Sequence, residues 1–112
     1  MCTAAQLQDI NSKIASEYRN VFGKDLKKVF LFGSYARGDY DQESDIDYTA
    51  IVAGERYALQ KKMDEIWDYS AALGLENNVV ISPGIIPEDE FEKYRATLPY
   101  YQNIDKEGIG VE

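Results

Sequence analysis

The chain has 112 residues, with 12 Lys plus Arg against 20 Asp plus Glu, a formal net charge of −8, and 45% hydrophobic residues. It contains no His and one Cys, Cys2, which excludes His general bases, Ser-His-Asp and Cys-His nucleophile pairs, His or Cys zinc sites and an internal disulfide. Area scaling at this length buries about two thirds of the unfolded surface, enough for one core in one domain spanning residues 1–112.

The acidic balance argues against nucleic acid and anionic membranes as partners. The longest apolar run, Val29-Phe30-Leu31-Phe32, is far too short to span a bilayer, and the first residues lack the basic and apolar regions of a signal peptide. Together with an unpaired Cys2 these features predict a cytoplasmic protein. Its chemistry must then come from carboxylates, hydroxyls, Lys, Arg, Tyr and backbone amides, and a carboxylate-bound metal leads that field.

Leu7, Ile10, Ile14, Tyr18 and Val21 recur at spacings of three and four, one face of a helix. Thr3 and Gln6 form a capping-box pattern at its start, and Gly23 stands where a glycine would stop it. Val29 to Phe32 reads as a strand covered on both faces. Gly33-Ser34 follows, with Ser34 expected to cap a short turn around Tyr35-Ala36-Arg37, and then a polar loop from Gly38 to Ser44.

Residues 45–53 read as a second strand, with Ile46, Tyr48, Ala50 and Val52 on one face and Asp45, Asp47, Thr49 and Ile51 on the other. Leu59, Met63, Ile66, Ser70 and Leu73 mark the inner face of a longer helix closed by Gly74, with Ile66 and Trp67 packing it on the sheet. Asn78 to Ile86 reads as a third strand, in which Pro83-Gly84 implies an edge or a bulge. Pro87 and Pro99 suit first-turn positions of two short helices. Phe91 and Tyr94 are expected in the core, while Tyr100-Tyr101 divides between core and docking surface. The alternation predicts a mixed α/β (α+β) domain whose small sheet of three or four strands is flanked by helices.

The chemistry concentrates between Phe32 and Asp47. A glycine directly after a buried strand lets the backbone approach a ligand closely. Asp45 and Asp47, two residues apart on a strand, project from one face and repel unless a cation lies between them. Oxygen ligands of this kind suit Mg²⁺, which completes its shell with water and phosphate. From Gly38 through Asp47 there are five acids (Asp39, Asp41, Glu43, Asp45 and Asp47) and no base. Asp39, Asp41 and Glu43 share no face and read as loop solvation. A nucleoside triphosphate could approach only as its metal complex, helped by Arg37.

Gly33-Ser34, ten residues (35–44), then Asp45-Ile46-Asp47 resembles the hallmark of the minimal nucleotidyltransferase (MNT) domains of the DNA polymerase β-like superfamily. GSYARG at Gly33–Gly38 and SDID at Ser44–Asp47 agree with it, as does the strand–turn–strand context. The resemblance implies that Gly33 and Ser34, with Arg37, bind the nucleotide, that Asp45 and Asp47 bind Mg²⁺ and are catalytic, and that ATP is the substrate. It further implies transfer of AMP to a hydroxyl of a partner protein, as in antitoxins paired with helical HEPN-type toxins.

The family also supplies a third carboxylate from the neighbouring strand. No Asp or Glu lies between Asn77 and Pro87, which leaves Asn78 at that position, with Val80 and the flanking Glu76 as the other candidates. Asn brings no charge and takes no proton at neutral pH. The alternative reading is therefore a weak or inactive module that sheathes its partner. With no length left for an acceptor domain, the acceptor is expected on a partner protein or a separate subunit.

Overall fold

A computed structural model describes residues 3–41 and 44–111. Cys2 and Glu43 lie outside the described residues. The elements in chain order are α1 (Ala4–Phe22), a 3₁₀ turn (Gly23–Asp25), β1 (Leu26–Phe32), α2 (Ser34–Arg37) and β2 (Ile46–Val52). They continue with α3 (Arg56–Asn77), β3 (Ile81–Pro87), α4 (Glu88–Tyr94), α5 (Pro99–Glu107) and β4 (Ile109–Gly110). The sheet order is β3-β2-β1-β4, with β1 antiparallel to both β2 and β4 and β2 parallel to β3.

Helix α1 starts on the capping box read from sequence: the Gln6 amide donates to Thr3 Oγ1 at 3.1 Å and the Thr3 amide to Gln6 Oε1 at 2.9 Å. Gly23, at φ 57°, ends it. Ile10, Ile14 and Tyr18 on its inner face pack against Leu59, Met63, Ile66 and Leu73 of α3, and against Val29, Leu31, Ile46, Tyr48, Ala50 and Val52 of the sheet. A smaller core of Ile51, Ile86, Phe91 and Ile104, joined by Phe30, Phe32 and Tyr101, fills the other face beneath α4 and α5. Two-sided cover explains why β1 reads as a continuous apolar run. No helix among the described residues is long and apolar enough to cross a membrane.

Two tyrosine hydroxyls tie α1 to the sheet. The fully buried Tyr18 hydroxyl donates to the Gly84 carbonyl on β3 at 2.7 Å, and Tyr48 donates to the Asn11 side chain. Pro83-Gly84 lies on an edge strand with unbroken pairing to β2, so the missing Pro83 amide interrupts no bulge-free ladder elsewhere in the sheet. At the other end, Arg56 makes two 2.9 Å bonds to Glu90 and fastens the start of α3 to α4.

Three sequence readings change. Helix α3 runs past Gly74 to Asn77 and is closed by Asn78 at φ 57°, so the third strand begins at Ile81 rather than Asn78. Gly74 is buried for a packing reason: a Cβ there would stand 2.6 Å from the Val79 carbonyl oxygen. Trp67 is 50% exposed, because the residue next to the buried Ile66 points about 100° around the helix. Tyr94 is half-buried with Lys93 over its ring, whereas Phe91 is core as expected. The expected outcome for Gly74→Ala is a loss of about 1–3 kcal/mol, despite alanine's better helix propensity, read as a lower midpoint in urea unfolding.

Candidate functional site

Strand β1 ends at Phe32, whose cross-strand partner is Asp47. The next residue, Gly33, has φ 74° and ψ −153°, a region essentially reserved for glycine. A Cβ at Gly33 would lie 2.7 Å from Asp47 Oδ2. Glycine is required there twice, once by the backbone angle and once by the carboxylate pressed against it. Gly33, not Ser34, caps α2, and its carbonyl accepts from the Ala36 and Arg37 amides at 3.1 Å. Ser34 is the first helical residue and makes no side-chain capping bond.

Gly38, at φ 86°, ends that single turn, and the buried Tyr35 stacks on Tyr40 at 4.1 Å between centroids. The Asp41 amide donates to Ser44 Oγ at 3.0 Å as the chain turns back toward β2. Asp39 and Asp41 are exposed, in keeping with loop solvation.

Asp45 is exposed at the mouth of β2 and Asp47 is half-buried within it. Ile46, Tyr48, Ala50 and Val52 are buried toward α1 and α3 and Asp47 alternates with them, while Asp45 precedes the strand and lines a cleft with Tyr35, Ser44 and Gly74. Burial first, and then the charge of Asp45, push the Asp47 carboxyl above its ordinary range, and Arg37 pulls it part of the way back. This pair is electrostatically frustrated, which is the condition a divalent cation relieves. Among the described residues no group of three or more His, Cys, Asp or Glu could hold a metal. A hard cation here would have two carboxylates from the protein and would take its other oxygens from water and phosphate, a donor set that fits Mg²⁺.

The raised Asp47 pKa gives a stability prediction with a definite sign. A carboxyl whose folded-state pKa lies above its unfolded value destabilises the native state wherever it is ionised, and the cost fades as pH falls and it protonates. Asp47→Asn is therefore expected to melt higher than wild type at neutral pH without metal, by on the order of a few °C. The advantage should vanish toward pH 3, as followed by circular dichroism.

The pairing register puts Ser82, not Asn78 or Glu76, beside Asp47 on β3. Asn78 caps α3, its amide directed at the Gly74 and Leu75 carbonyls, and Glu76 is exposed within the helix. Asn78 does line a cleft of about 360 Å³ beside Asp45, together with Tyr35, Ser44 and Val80. Arg37 is exposed, donating to Asp39 at 3.2 Å and to Glu107 at 3.4 Å. Lys28 lies over the Phe30 ring, toward the far end of β1 from Gly33.

One residue near the site was not singled out for it by the sequence. Tyr100, in the first turn of α5, sets its ring edge-on to Phe32 at 5.9 Å, beside Asp47. Burial first, and then the charge of Asp47, push its phenol pKa up. The signal in the sequence was the tyrosine pair after Pro99, which does not say which face of the sheet it covers.

The family model of the nucleotidyltransferase domain matches residues 12–108. The chain belongs to the nucleotidyltransferase domain family. Among curated relatives, a Methanocaldococcus jannaschii chain named, provisionally, as a protein adenylyltransferase is 34% identical over 102 residues, covering 91% of this chain and 90% of the relative. The protein adenylyltransferase MntA of Thermococcus cleftensis is 30% identical over 86 residues, covering 76% of this chain and 83% of its own. Solved nucleotidyltransferase-fold chains agree with the architecture. A chain from the MntA–HpeT toxin–antitoxin complex superposes with TM-score 0.57 at 17% identity, covering 91% of this chain and 72% of that one. A nucleotidyltransferase-fold chain from Sulfolobus solfataricus superposes with TM-score 0.53 at 21% identity, covering 97% and 87%. The four-stranded mixed sheet flanked by helices is the nucleotidyltransferase fold.

Proposed function

We propose that this nucleotidyltransferase moves AMP from ATP, with Mg²⁺, onto a hydroxyl of a partner protein. The observation that carries the reading is the Asp47 carboxylate pressed against Gly33, whose backbone angle favours glycine, with Asp45 near enough for its charge to act on Asp47. Gly33 and Ser34 would line the triphosphate, with Arg37 supplying positive charge, and Asp45 and Asp47 would hold Mg²⁺. When bound, the ion supplies charge neutralisation for the triphosphate and activation of the acceptor hydroxyl. The acceptor oxygen bonds to the α-phosphorus, the bond to the β-phosphate bridging oxygen breaks, pyrophosphate leaves, and the hydroxyl proton passes to Asp47 and on to water.

A protein acceptor is supported by the net charge of −8, which disfavours nucleic acid, and by relatives named protein adenylyltransferases. The partner that fits the MntA–HpeT complexes is a helical HEPN-type toxin met in the cytoplasm. One observation favours a second reading, a sheathing module with slow or absent turnover: the neighbouring strand sets Ser82, not an acid, beside Asp47.

The test uses ATP labelled at the α-phosphate, Mg²⁺, the purified protein and an extract of the cells that make it. The expected result is one labelled protein band that disappears with Asp45→Asn/Asp47→Asn. No label, in an extract from which the protein pulls down a partner, would replace the transfer reading with the sheathing one.

A further inference from the structure

The cleft of about 360 Å³ beside Asp45 does not end at its own walls. Gly74, Leu75, Val79 and Val80, which line it, also line an apolar groove of about 370 Å³ that extends to Trp67. Helix α3 forms one side of this groove, and the approach to β3, an edge strand of the sheet, forms the other. Three large apolar side chains stand open along it: Trp67 is 50% exposed, Val80 60% and Leu75 85%. Helix α3 already has its core face in Leu59, Met63, Ile66 and Leu73, so packing within the chain does not account for them. A contiguous exposed apolar patch of this kind marks an interaction surface.

The surroundings of the groove are acidic. Asp64 and Asp68 are exposed, and spacings of four and seven set them in one row with Leu75 on α3. Asp45 stands in the adjoining cleft. The sequence holds no Lys or Arg from Met63 to Glu92 or from Gly38 to Glu55, and these two stretches supply every lining residue of both cavities except Tyr35. The complement of such a trough is a segment apolar at its centre and basic at its flanks. A second copy of this chain is the wrong complement, since it would set Asp64 and Asp68 of one copy against acids of the other at a net charge of −8 each.

We infer that the groove from Trp67 to Val80 seats the acceptor protein, by a segment with an apolar anchor and flanking Lys or Arg, and that its continuity with the Asp45 cleft leads the acceptor hydroxyl to the carboxylates. The inference rests on the nucleotidyl-transfer reading above. Affinity for the acceptor then comes from Trp67, Leu75 and Val80, and the acids set which segments enter. The groove is separable from nucleotide binding at its Trp67 end, because Trp67 does not line the cleft beside Asp45.

Trp67 is the one tryptophan of the chain, so its fluorescence reports on the groove directly. The probes are three short synthetic peptides of equal length: an apolar centre with Lys flanks, the same centre with Glu flanks, and Lys flanks around a Ser centre. The first should shift the Trp67 emission to the blue and shield it from acrylamide, at an affinity at least about tenfold above the other two. Leu75→Ser, at an exposed position, should keep its melting temperature and weaken that peptide about tenfold. Asp64→Asn/Asp68→Asn should weaken it about threefold or more and flatten its dependence on salt. In the labelled-ATP test, Trp67→Ser should lower the label on the acceptor band at least about tenfold, with affinity for a non-hydrolysable ATP analogue and Mg²⁺ within about twofold of wild type.

No response to the Lys-flanked apolar peptide, equal binding of the Glu-flanked one, or an unchanged affinity in Leu75→Ser would overturn the inference. So would a Trp67 emission that shifts with protein concentration alone while sedimentation shows a dimer, which would give the groove to a second copy. Full labelling of the acceptor by Trp67→Ser would likewise remove the groove from the reaction. Wild-type protein that labels no band would refute the transfer reading, and the peptide titrations would still judge the groove.

Discussion

Gly33→Ala is expected to lose both stability and transfer, where most glycine replacements would cost one or neither. The backbone angle alone costs about 1–3 kcal/mol for a residue with a Cβ. The added methyl, 2.7 Å from Asp47 Oδ2, must then displace the carboxylate, since its three nearest neighbours within 4 Å all belong to the Asp47 side chain. A combined loss of about 2–4 kcal/mol corresponds to a fall of about 10–20 °C in a domain of this size. Label transfer should drop by at least about 100-fold even at temperatures where the variant is folded, since positioning errors near 1 Å carry that cost. Gly38→Ala is the control. Gly38 has a positive φ but open space around its missing Cβ, so stability should fall by only about 1 kcal/mol and transfer should persist. Thermal melts and labelling of the two variants side by side would separate backbone strain from displacement of Asp47.

Asp45→Asn and Asp47→Asn are each expected to cut transfer by at least about 100-fold, since either removes half of the protein's charge facing the cation. The diagnostic feature is the direction of the accompanying changes. Without Mg²⁺, losing one like charge should leave nucleotide binding unchanged or tighter, because the triphosphate meets less repulsion. With Mg²⁺ the order should reverse, and isothermal titration of ATP with and without the ion would show it. Asp47→Asn should also be the more stable protein at neutral pH, for the reason given with its pKa. An active-site residue whose removal abolishes turnover, loosens Mg-dependent binding and raises the melting temperature is held in place by function, not by folding.

Much of this was legible in the sequence because it was local. Thr3 and Gln6 lie one helical turn apart, so the capping box needs no tertiary information. The alternation from Ile46 to Val52 sorts Asp47 from the core by the pleat alone. The spacing from Gly33 to Asp47 carried the family resemblance. The readings that failed depended on contacts the chain makes far from itself. Gly74 looked like a helix stop because glycine usually serves there, yet it is small so that the Val79 carbonyl can pass. Asn78 looked like a strand residue because Val79 and Val80 follow it, but the left-handed cap it forms delays the strand to Ile81. The register of two parallel strands joined by a 22-residue helix cannot be counted along the chain, so Ser82 went unnoticed. Strand β4, two residues long, is too short to leave a periodicity.

The pairing of Phe32 with Asp47 makes the two chemical ends of the motif neighbours in one ladder, whatever lies between them. Residues 38–44 have only to span that gap, and the entropic penalty for lengthening such a loop grows slowly, by about 0.6 kcal/mol per doubling. Insertions there would leave the glycine against its carboxylate while changing what surrounds the entrance. The fold therefore separates a fixed pairing of glycine and carboxylate from an adjustable rim, and that rim can change without any repacking of the sheet.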